Sequence, residues 1–418
     1  MEHTIKNRIN DIIAAHISIP NGSVNKPYKA EVSFEKWNMA DIVYAEWKGL
    51  EEIGLVYHKE QATIAGTPTV SGDHKIQLLF SLEGAPVNVK VFNLIINPDP
   101  RSLWKDIPGD VNDPYWKEDN VMAAAQLGDK QMVVSSKRGR SHKNVGTFRD
   151  DDFAYYSSDK KGWSVVAVAD GAGSSLFSRK GAQIACNATI NYFQQFFEES
   201  KEKEIEETDH SAIESLTVVA KKHMYQAVKY VYEQIKAEAE KHSELNPTLF
   251  NNKNKSILEY YHTTLIFVVF KKFDFGYLIL SFGIGDCPII LLQEDKVQLL
   301  NQLDVGEFGG GTRFITQPEI FHSKEIPMGS RFNVTIAPDF SYLFLMTDGI
   351  YDPKFEVEAN LQNLALWKKF MEDLNGDNEE KVIVDFKQPA IEVATQLSTW
   401  MDFWSTGNHD DRTLAIIY

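Results

Sequence analysis

The stretch 163-WSVVAVADG-171 decides the reading of this chain. From Trp163 to Ala169 the residues are apolar or small without a break, which reads as a strand covered on both faces. The run ends on Asp170, so that carboxylate is carried at the rim of a rigid element. Gly171 follows and lets the chain turn sharply, leaving room for an ion or a phosphate. The same pattern returns twice. Tyr342 to Thr347 runs into Asp348-Gly349, and Tyr277 to Phe282 runs into Gly283-Ile284-Gly285-Asp286. One Asp-Gly after a strand is an ordinary turn. Several in order, joined by Asp150-Asp151-Asp152 and Asp410-Asp411, predict a cleft lined with carboxylates. Like charges packed this way need a cation or solvent to relieve them. A solvated acidic turn remains the alternative for either cluster alone. Hard cations such as Mg²⁺ and Mn²⁺ take oxygen ligands of this kind.

Outward from those motifs, composition narrows the function. The 418 residues suggest two or three domains at roughly 100–200 residues each. The net charge of -16 argues against nucleic acid and anionic membrane as partners. Cys186 and Cys287 form no pair with metal-ligand spacing, so a zinc finger or disulfide scaffold is not expected. Such low cysteine usage suits a cytoplasmic location. The opening MEHTIKNRINDIIAAHISIP lacks the apolar core of a signal peptide, and Ile5, Ile9, Ile12 and Ile13 recur at helical spacing. No apolar run approaches the roughly 18 residues of a membrane span.

The expected organisation has four parts: an N-terminal helix over 1–24, a small β-sandwich over 25–100, a linker over 101–131, and an α/β region over 132–418. Within 25–100, short β-branched runs such as Ile76–Leu82 and Val87–Ile96 alternate with turns such as Gly66-Thr67-Pro68. Pro108, Gly109 and Pro114 break the linker, while Trp104, Tyr115 and Trp116 suit pinning it to a neighbour. Residues 198–245 and 355–403 read as helices whose apolar stripes, Met224, Val228, Val231 and Ile235 among them, face a core.

Two resemblances follow from these motifs. The segments ATIAGTPTVSGDHKIQLLF and VNVKVFNLIINPDP resemble immunoglobulin-like repeats of bacterial multidomain proteins, which implies a binding or spacer module. The order RDDDF, VVAVADGAG, HTTLIFVVF, SFGIGDC, LFLMTDG, HDDRTLAIIY resembles the metal-dependent protein phosphatases of type 2C, the PPM family, over about 132–418. That resemblance implies an α+β chain whose phosphatase domain is a four-layer α-β-β-α sandwich, preceded by the small all-β immunoglobulin-like sandwich. It implies two divalent cations, Mn²⁺ or Mg²⁺, with a weaker third. Asp170 would bridge the two and the Gly171 carbonyl would help bind one. Asp348 and Asp410 would hold the second, Asp150 and Asp151 would act partly through water, and Asp286 would hold the third. The implied substrate is a phosphorylated protein, with a serine/threonine kinase or its targets as partners. Independently of the family, two such cations lower the pKa of a shared water until hydroxide forms, and that hydroxide attacks phosphorus in line. Neither a G-x-S-x-G elbow nor a Walker A loop is present.

The pattern also departs from the family. The arginine usual four residues before the first acidic residue is Gly146 here; the nearby basic residues are Arg138, Arg140, His142, Lys143 and Arg149, of which Arg140, His142 and Arg149 are the phosphate-binding candidates, and a basic loop that only balances charge is the alternative. The histidine many relatives carry after the bridging aspartate is Ala172, which leaves His142, His409 or water to protonate the leaving group. His142 is the favoured catalytic residue beside Asp170. The usual asparagine after the last metal aspartate is Asp411, an added negative charge. The glycine-rich stretch from Asp304 to Phe314 reads as a substrate flap or a plain loop. A phosphoprotein-binding pseudophosphatase and a hydrolase of small phosphoesters are the alternative functions.

Overall fold

The computed structural model describes residues 2–199, 213–304, 311–324 and 326–418. The chain divides into two units, Met1–Lys105 and Asp106–Tyr418.

The first unit opens with helix α1 (Glu2–Ala14) and continues through β1 (Gly22–Ser23), β2 (Tyr28–Glu31), β3 (Ile42–Lys48), β4 (Leu55–His58), β5 (Thr63–Gly66), β6 (Gly72–Leu82) and β7 (Asn88–Asn97). Among the described residues they form two sheets, in the orders β1-β7-β6-β3 and β2-β5-β4. Along β7, Lys90, Phe92, Leu94 and Ile96 are buried while Val89, Val91 and Ile95 are exposed. That alternation is the mark of a sheet with one face on a core. Residues of both sheets, such as Leu55 and Ile64 with Leu78 and Phe92, share that core with Ile12 of α1. The helix expected over 1–24 ends at Ala14, because Gly22–Ser23 already pairs with β7.

The second unit contains β8 (Asn120–Leu127), β9 (Lys130–Lys137), α2 (Arg140–Val145), β10 (Asp152–Ser157), β11 (Ser164–Ala169), α3 (Ser178–Glu199) and α4 (Ile213–Leu245). It continues with β12 (Leu265–Phe273), β13 (Gly276–Ile284), β14 (Ile289–Leu292), β15 (Val297–Leu299), β16 (Phe332–Ala337) and β17 (Tyr342–Met346). Helices α5 (Asp348–Phe355), α6 (Leu364–Leu374) and α7 (Ala390–Trp400) then lead to β18 (Arg412–Ile417). One sheet runs β10-β11-β12-β13-β16 and the other β15-β14-β17-β18-β9-β8. Strand β11 explains its own unbroken apolar sequence. Val165, Ala167 and Ala169 meet the helices α3 and α4, whereas Val166 and Val168 meet residues of the opposite sheet such as Val134, Leu345 and Ala415. A third core joins the outer face of the second sheet to α5, α6 and α7 through Phe344, Trp367, Leu397 and Trp400. The layers are therefore helix, sheet, sheet, helix. Met224, Val228, Val231 and Ile235 of α4 are fully buried, at about 1.5–3 kcal/mol for each large side chain.

The linker expected over 101–131 is largely part of this unit. Residues from Asp106 belong to it, and 120–127 pair along the whole of β9. The part of the expected helical region at 200–212 lies outside the described residues.

Candidate active site

The acidic motifs leave their strands at one end of the two sheets. Asp170 follows β11, and its main chain is pinned on both sides. Its N–H donates to Thr264 Oγ1 at 2.9 Å, and its carbonyl accepts from Thr264 N at 2.8 Å and Thr263 Oγ1 at 2.9 Å. Gly171 is required by a close approach: a Cβ there would lie 2.8 Å from the Asp150 carbonyl oxygen. Asp348 is the first residue of α5, directly after β17 in the other sheet. Asp286 follows β13 through Gly285, whose φ of +101° favours glycine, and its carboxylate accepts from Thr312 Oγ1 at 2.8 Å. The turn that carries Asp286 is held from behind. Arg331 and Asp304 form a buried two-bonded ion pair at 2.8 and 2.9 Å, and Asp304 also accepts from Gly285 N. Asp410 and Asp411 immediately precede β18.

These carboxylates lie near enough to act on one another's charge. Burial raises the Asp170 pKa, and the charges of Asp348, Asp151, Asp410 and Asp286 raise it further. Burial and then Asp410, Asp286 and Asp352 push Asp348 up to about 7, although a hydrogen bond with Asp170 works the other way. Burial raises Asp286 and Asp410 as well, with neighbouring carboxylates adding to it. Asp348 Oδ1 is buried and has no hydrogen-bond partner. A buried acceptor without a donor, among carboxylates that repel one another, fits a bound cation.

Asp151 lies deeper, 1% exposed, and its Oδ2 accepts from Thr347 and Thr413 at 2.8 and 2.7 Å. Burial and then Asp411 raise its pKa, while the two threonines oppose the rise. Asp150 is pushed up to about 7 by burial and then by Asp411.

His142 and Asp411 form a pair. His142 Nδ1 lies 3.0 Å from Asp411 Oδ2, and Nε2 lies 3.8 Å from Asp150 Oδ2. Burial would lower the imidazole pKa, but the charge and hydrogen bond of Asp411, then Asp150 and Asp410, raise it to about 10. The ring is thus a cation at neutral pH. His142, Asp410 and Asp411 also bring ligand atoms within 4.8 Å of one another, a spacing that suits a metal ion. The Nδ1 contact with Asp411 assigns the imidazole to a charge-assisted hydrogen bond instead. The charge of Asp411 acts on Asp150, Asp151 and Asp410. Its own carboxylate accepts from the backbone N–H of Gly139 and of Asp150 as well as from His142. Despite burial those partners hold its pKa below the usual value, His142 first among them.

Two expected phosphate-binding residues point elsewhere. Arg149 is 2% exposed, and its guanidinium donates to Ser136 Oγ, to the Asp151 carbonyl and to the Glu118 carbonyl. Arg140 donates to the carbonyls of Asp402 and Phe403, just beyond the end of α7, and stacks near Trp404. The Phe403 carbonyl also accepts from Arg412 Nη1 at 2.7 Å. His409 shifts the opposite way from His142: burial and then Arg140 and Arg412 lower its pKa. Most of the expected flap, 305–310, lies outside the described residues.

Sequence reasoning passed over Asp352 and the threonines. Asp352 is four residues beyond Asp348 on α5, the spacing that shares one helix face, and its charge acts on Asp348. Thr263 and Thr264 stand just before the apolar run of β12, and Thr413 is the second residue of β18, so each sits near the end of a strand at the site.

The model of the family described as protein phosphatase 2C matches residues 138–402, more than half of the chain. The match stops short of Asp410 and Asp411, which the fold brings to the same cleft. No curated protein sequence matches the chain. Among solved structures, a bacterial serine phosphatase aligns at 12% identity over 72% of this chain and 97% of its own, with a TM-score of 0.36. Serine/threonine phosphatase Stp1 from Staphylococcus aureus aligns at 11% identity over 74% and 96%, with a TM-score of 0.36. RsbX in complex with magnesium aligns at 13% identity over 71% and 98%, also with a TM-score of 0.36. Its layered sandwich, its aspartates at the strand ends and the matched span together make this chain a member of the protein phosphatase 2C family, a phosphoester-cleaving hydrolase.

Proposed function

We propose that the chain is a metal-dependent phosphatase acting on phosphoserine and phosphothreonine in proteins. The observation that carries this reading is the convergence of Asp170, Asp286, Asp348 and Asp410, with the partnerless Asp348 Oδ1 among them. Asp170 and Asp348 would hold two divalent cations, Mn²⁺ or Mg²⁺, with Asp410 and the Gly171 carbonyl as further ligands. Asp286 would serve a weaker third. When bound, such cations supply an activated water and neutralise the phosphoryl charge.

The chain's own groups complete the chemistry. His142, protonated and held through Nδ1 by Asp411, would present Nε2 to a phosphoryl oxygen and then give its proton to the leaving oxygen. Asp151, fixed by Thr347 and Thr413, would keep the two sheets in register beneath the site. The thiols of Cys186 and Cys287 are buried and held well above their usual pKa by that burial, so neither is a ready nucleophile. A bound cysteinyl-phosphate intermediate is therefore not part of the reading. The first unit, which we read as immunoglobulin-like, would choose substrate or location, with a phosphoprotein of a serine/threonine kinase pathway as the partner. The low cysteine usage supports a cytoplasmic location. Among the described residues no helix is long and apolar enough to cross a membrane.

The test is turnover by the full chain with Mn²⁺ or Mg²⁺ titrated in. Phosphothreonine peptide should be hydrolysed and chelator should stop it. Faster turnover of nucleoside monophosphates would favour the small-phosphoester reading, and no metal-dependent turnover would remove the proposal.

A further inference from the structure

The residues between the first unit and β8 form no idle connection. The segment 107–119 grips the loop that carries His142 at both of its ends. At one end, Ile107 N donates to the Lys143 carbonyl at 2.9 Å. The side chain of Arg138, wholly inaccessible to solvent, ties three points together. It donates to Asp119 Oδ2 at 2.9 Å, to the Ile107 carbonyl at 2.7 Å and to the His142 carbonyl at 3.1 Å. At the other end, Lys117 Nζ donates to the Asp151 carbonyl at 2.7 Å and to Asp152 Oδ2 at 2.8 Å. The segment is anchored in turn on α3, where Arg179 donates to Asp113 and to the Tyr115 carbonyl.

Packing repeats the pattern. A Cβ on Gly109 would lie 2.9 Å from the Phe148 ring, and a Cβ on Gly146 would lie 2.9 Å from Ile107 Cγ2. The two chains therefore run against each other with no room for a side chain between them. Helix α2 is only six residues long. A helix of that length is marginal alone and takes its position from outside contacts.

We infer that segment 107–119 is a positioning strap of the catalytic unit, and that the Arg138–Asp119 pair is the clasp by which it sets His142 over the site. The inference rests on the phosphatase reading for its kinetic consequence only; the strap's hold on α2 is independent of it. Arg138 and Asp119 touch no substrate and act through His142. Arginine suits the place because its rigid planar fork holds its N–H donors on separate nitrogens in fixed directions, whereas a lysine sends its three donors from one atom.

The test uses the full chain with Asp119→Ala, Asp119→Glu and Gly109→Ala. Asp119 is partly exposed, so its truncation opens no core cavity, and Gly109→Ala lifts the strap by bulk alone. The first readout is amide exchange. In Asp119→Ala, Lys143 and Thr147 should exchange about tenfold faster or more, while β12 and β13 stay protected. The second is leaving-group dependence. Turnover number on phosphothreonine peptide should fall about fivefold or more, against less than about twofold on p-nitrophenyl phosphate, whose leaving group needs little protonation. Asp119→Glu should recover both, and Gly109→Ala should reproduce both losses. Unchanged exchange at α2, or equal losses on the two substrates that merely track a lower Tm, would overturn the strap. Should the unaltered chain show no metal-dependent turnover, the phosphatase reading fails, and exchange at α2 still decides the strap.

Discussion

The ion pair behind Asp286 gives a prediction whose size can be worked out. Arg331 and Asp304 side chains are 0% and 2% exposed. Asp304→Ala removes both bonds to the guanidinium and the acceptor for Gly285 N. The Gly283 carbonyl, 3.2 Å from Arg331 Nη1, remains and offsets part of the loss. Two unit charges about 4 Å apart attract by about 4 kcal/mol at an effective dielectric near 20. Breaking a buried pair by removing one partner destabilises proteins by about 3–5 kcal/mol. With one carbonyl retained, the lower part of that range, about 3 kcal/mol, is expected. The double change Asp304→Leu with Arg331→Met removes both charges and leaves mainly the Gly285 N–H without a partner, about 1–2 kcal/mol. The double variant should therefore be more stable than the single. Native-state exchange of the paired β12 and β13 amides, such as Phe267 opposite Phe282, reads opening of this unit without interference from the other. A single variant that loses under about 1 kcal/mol, or a double variant no better than the single, would refute the reasoning.

Asp170→Asn should leave the fold intact and abolish metal-dependent turnover; activity above about a tenth of the original, under ~1.4 kcal/mol in barrier, removes Asp170 from the centre. His142→Ala should slow phosphothreonine turnover more than p-nitrophenyl phosphate turnover, and equal losses on the two would reduce His142 to a binding role. Gly349→Ala places a Cβ 1.9 Å from the Asp411 carbonyl oxygen, so a loss of about 3 kcal/mol in urea unfolding is expected, and a neutral effect would contradict that packing. Stability without metal should fall as pH rises. Asp150 and Asp348 have folded pKa values near 7, above those of the unfolded chain, so the folded state holds protons the unfolded state has released between pH ~4 and 7. Their contribution is full below that window and lost above it; the Tm of chelator-treated protein should drop from pH 5 to pH 8, and a rising Tm would show the carboxylates relieved by other means.

The sequence was most legible where both faces of an element are covered. Strand β11 could be read from six letters because each one meets a core. Strand β8 could not, since NVMAAAQL has only one β-branched residue, Val121, of the kind that marks a strand. Its small residues serve tertiary packing: Ala123 and Ala125 lie against the core between the sheets, and Ala124 lies against the core under α7. In the site, the aspartates were legible as strand endings. The directions of Arg140 and Arg149 were not, because their acceptors are chosen by the fold. The carbonyls that hold Arg140 lie some 260 residues away in sequence. The role of Asp411 was hidden for the same reason, since two of its three partners are backbone N–H groups, which every residue but proline offers alike.

The place of β18 in its sheet has a consequence for how the protein comes into being. It lies between β17 and β9, so Ala415 faces Leu345 on one side and Val134 on the other. On the ribosome, β8 and β9 are made early, and β14 and β17 much later, and the strand that pairs with both β9 and β17 comes only with residues 412–417. Until then two apolar strand edges stand open, the kind of surface that invites aggregation and chaperone binding. The same short piece of chain brings Asp410 and Asp411. The centre and the sheet are thus completed together, and a chain stopped a few residues earlier would carry most of the acidic motifs with the second sheet still split between β17 and β9.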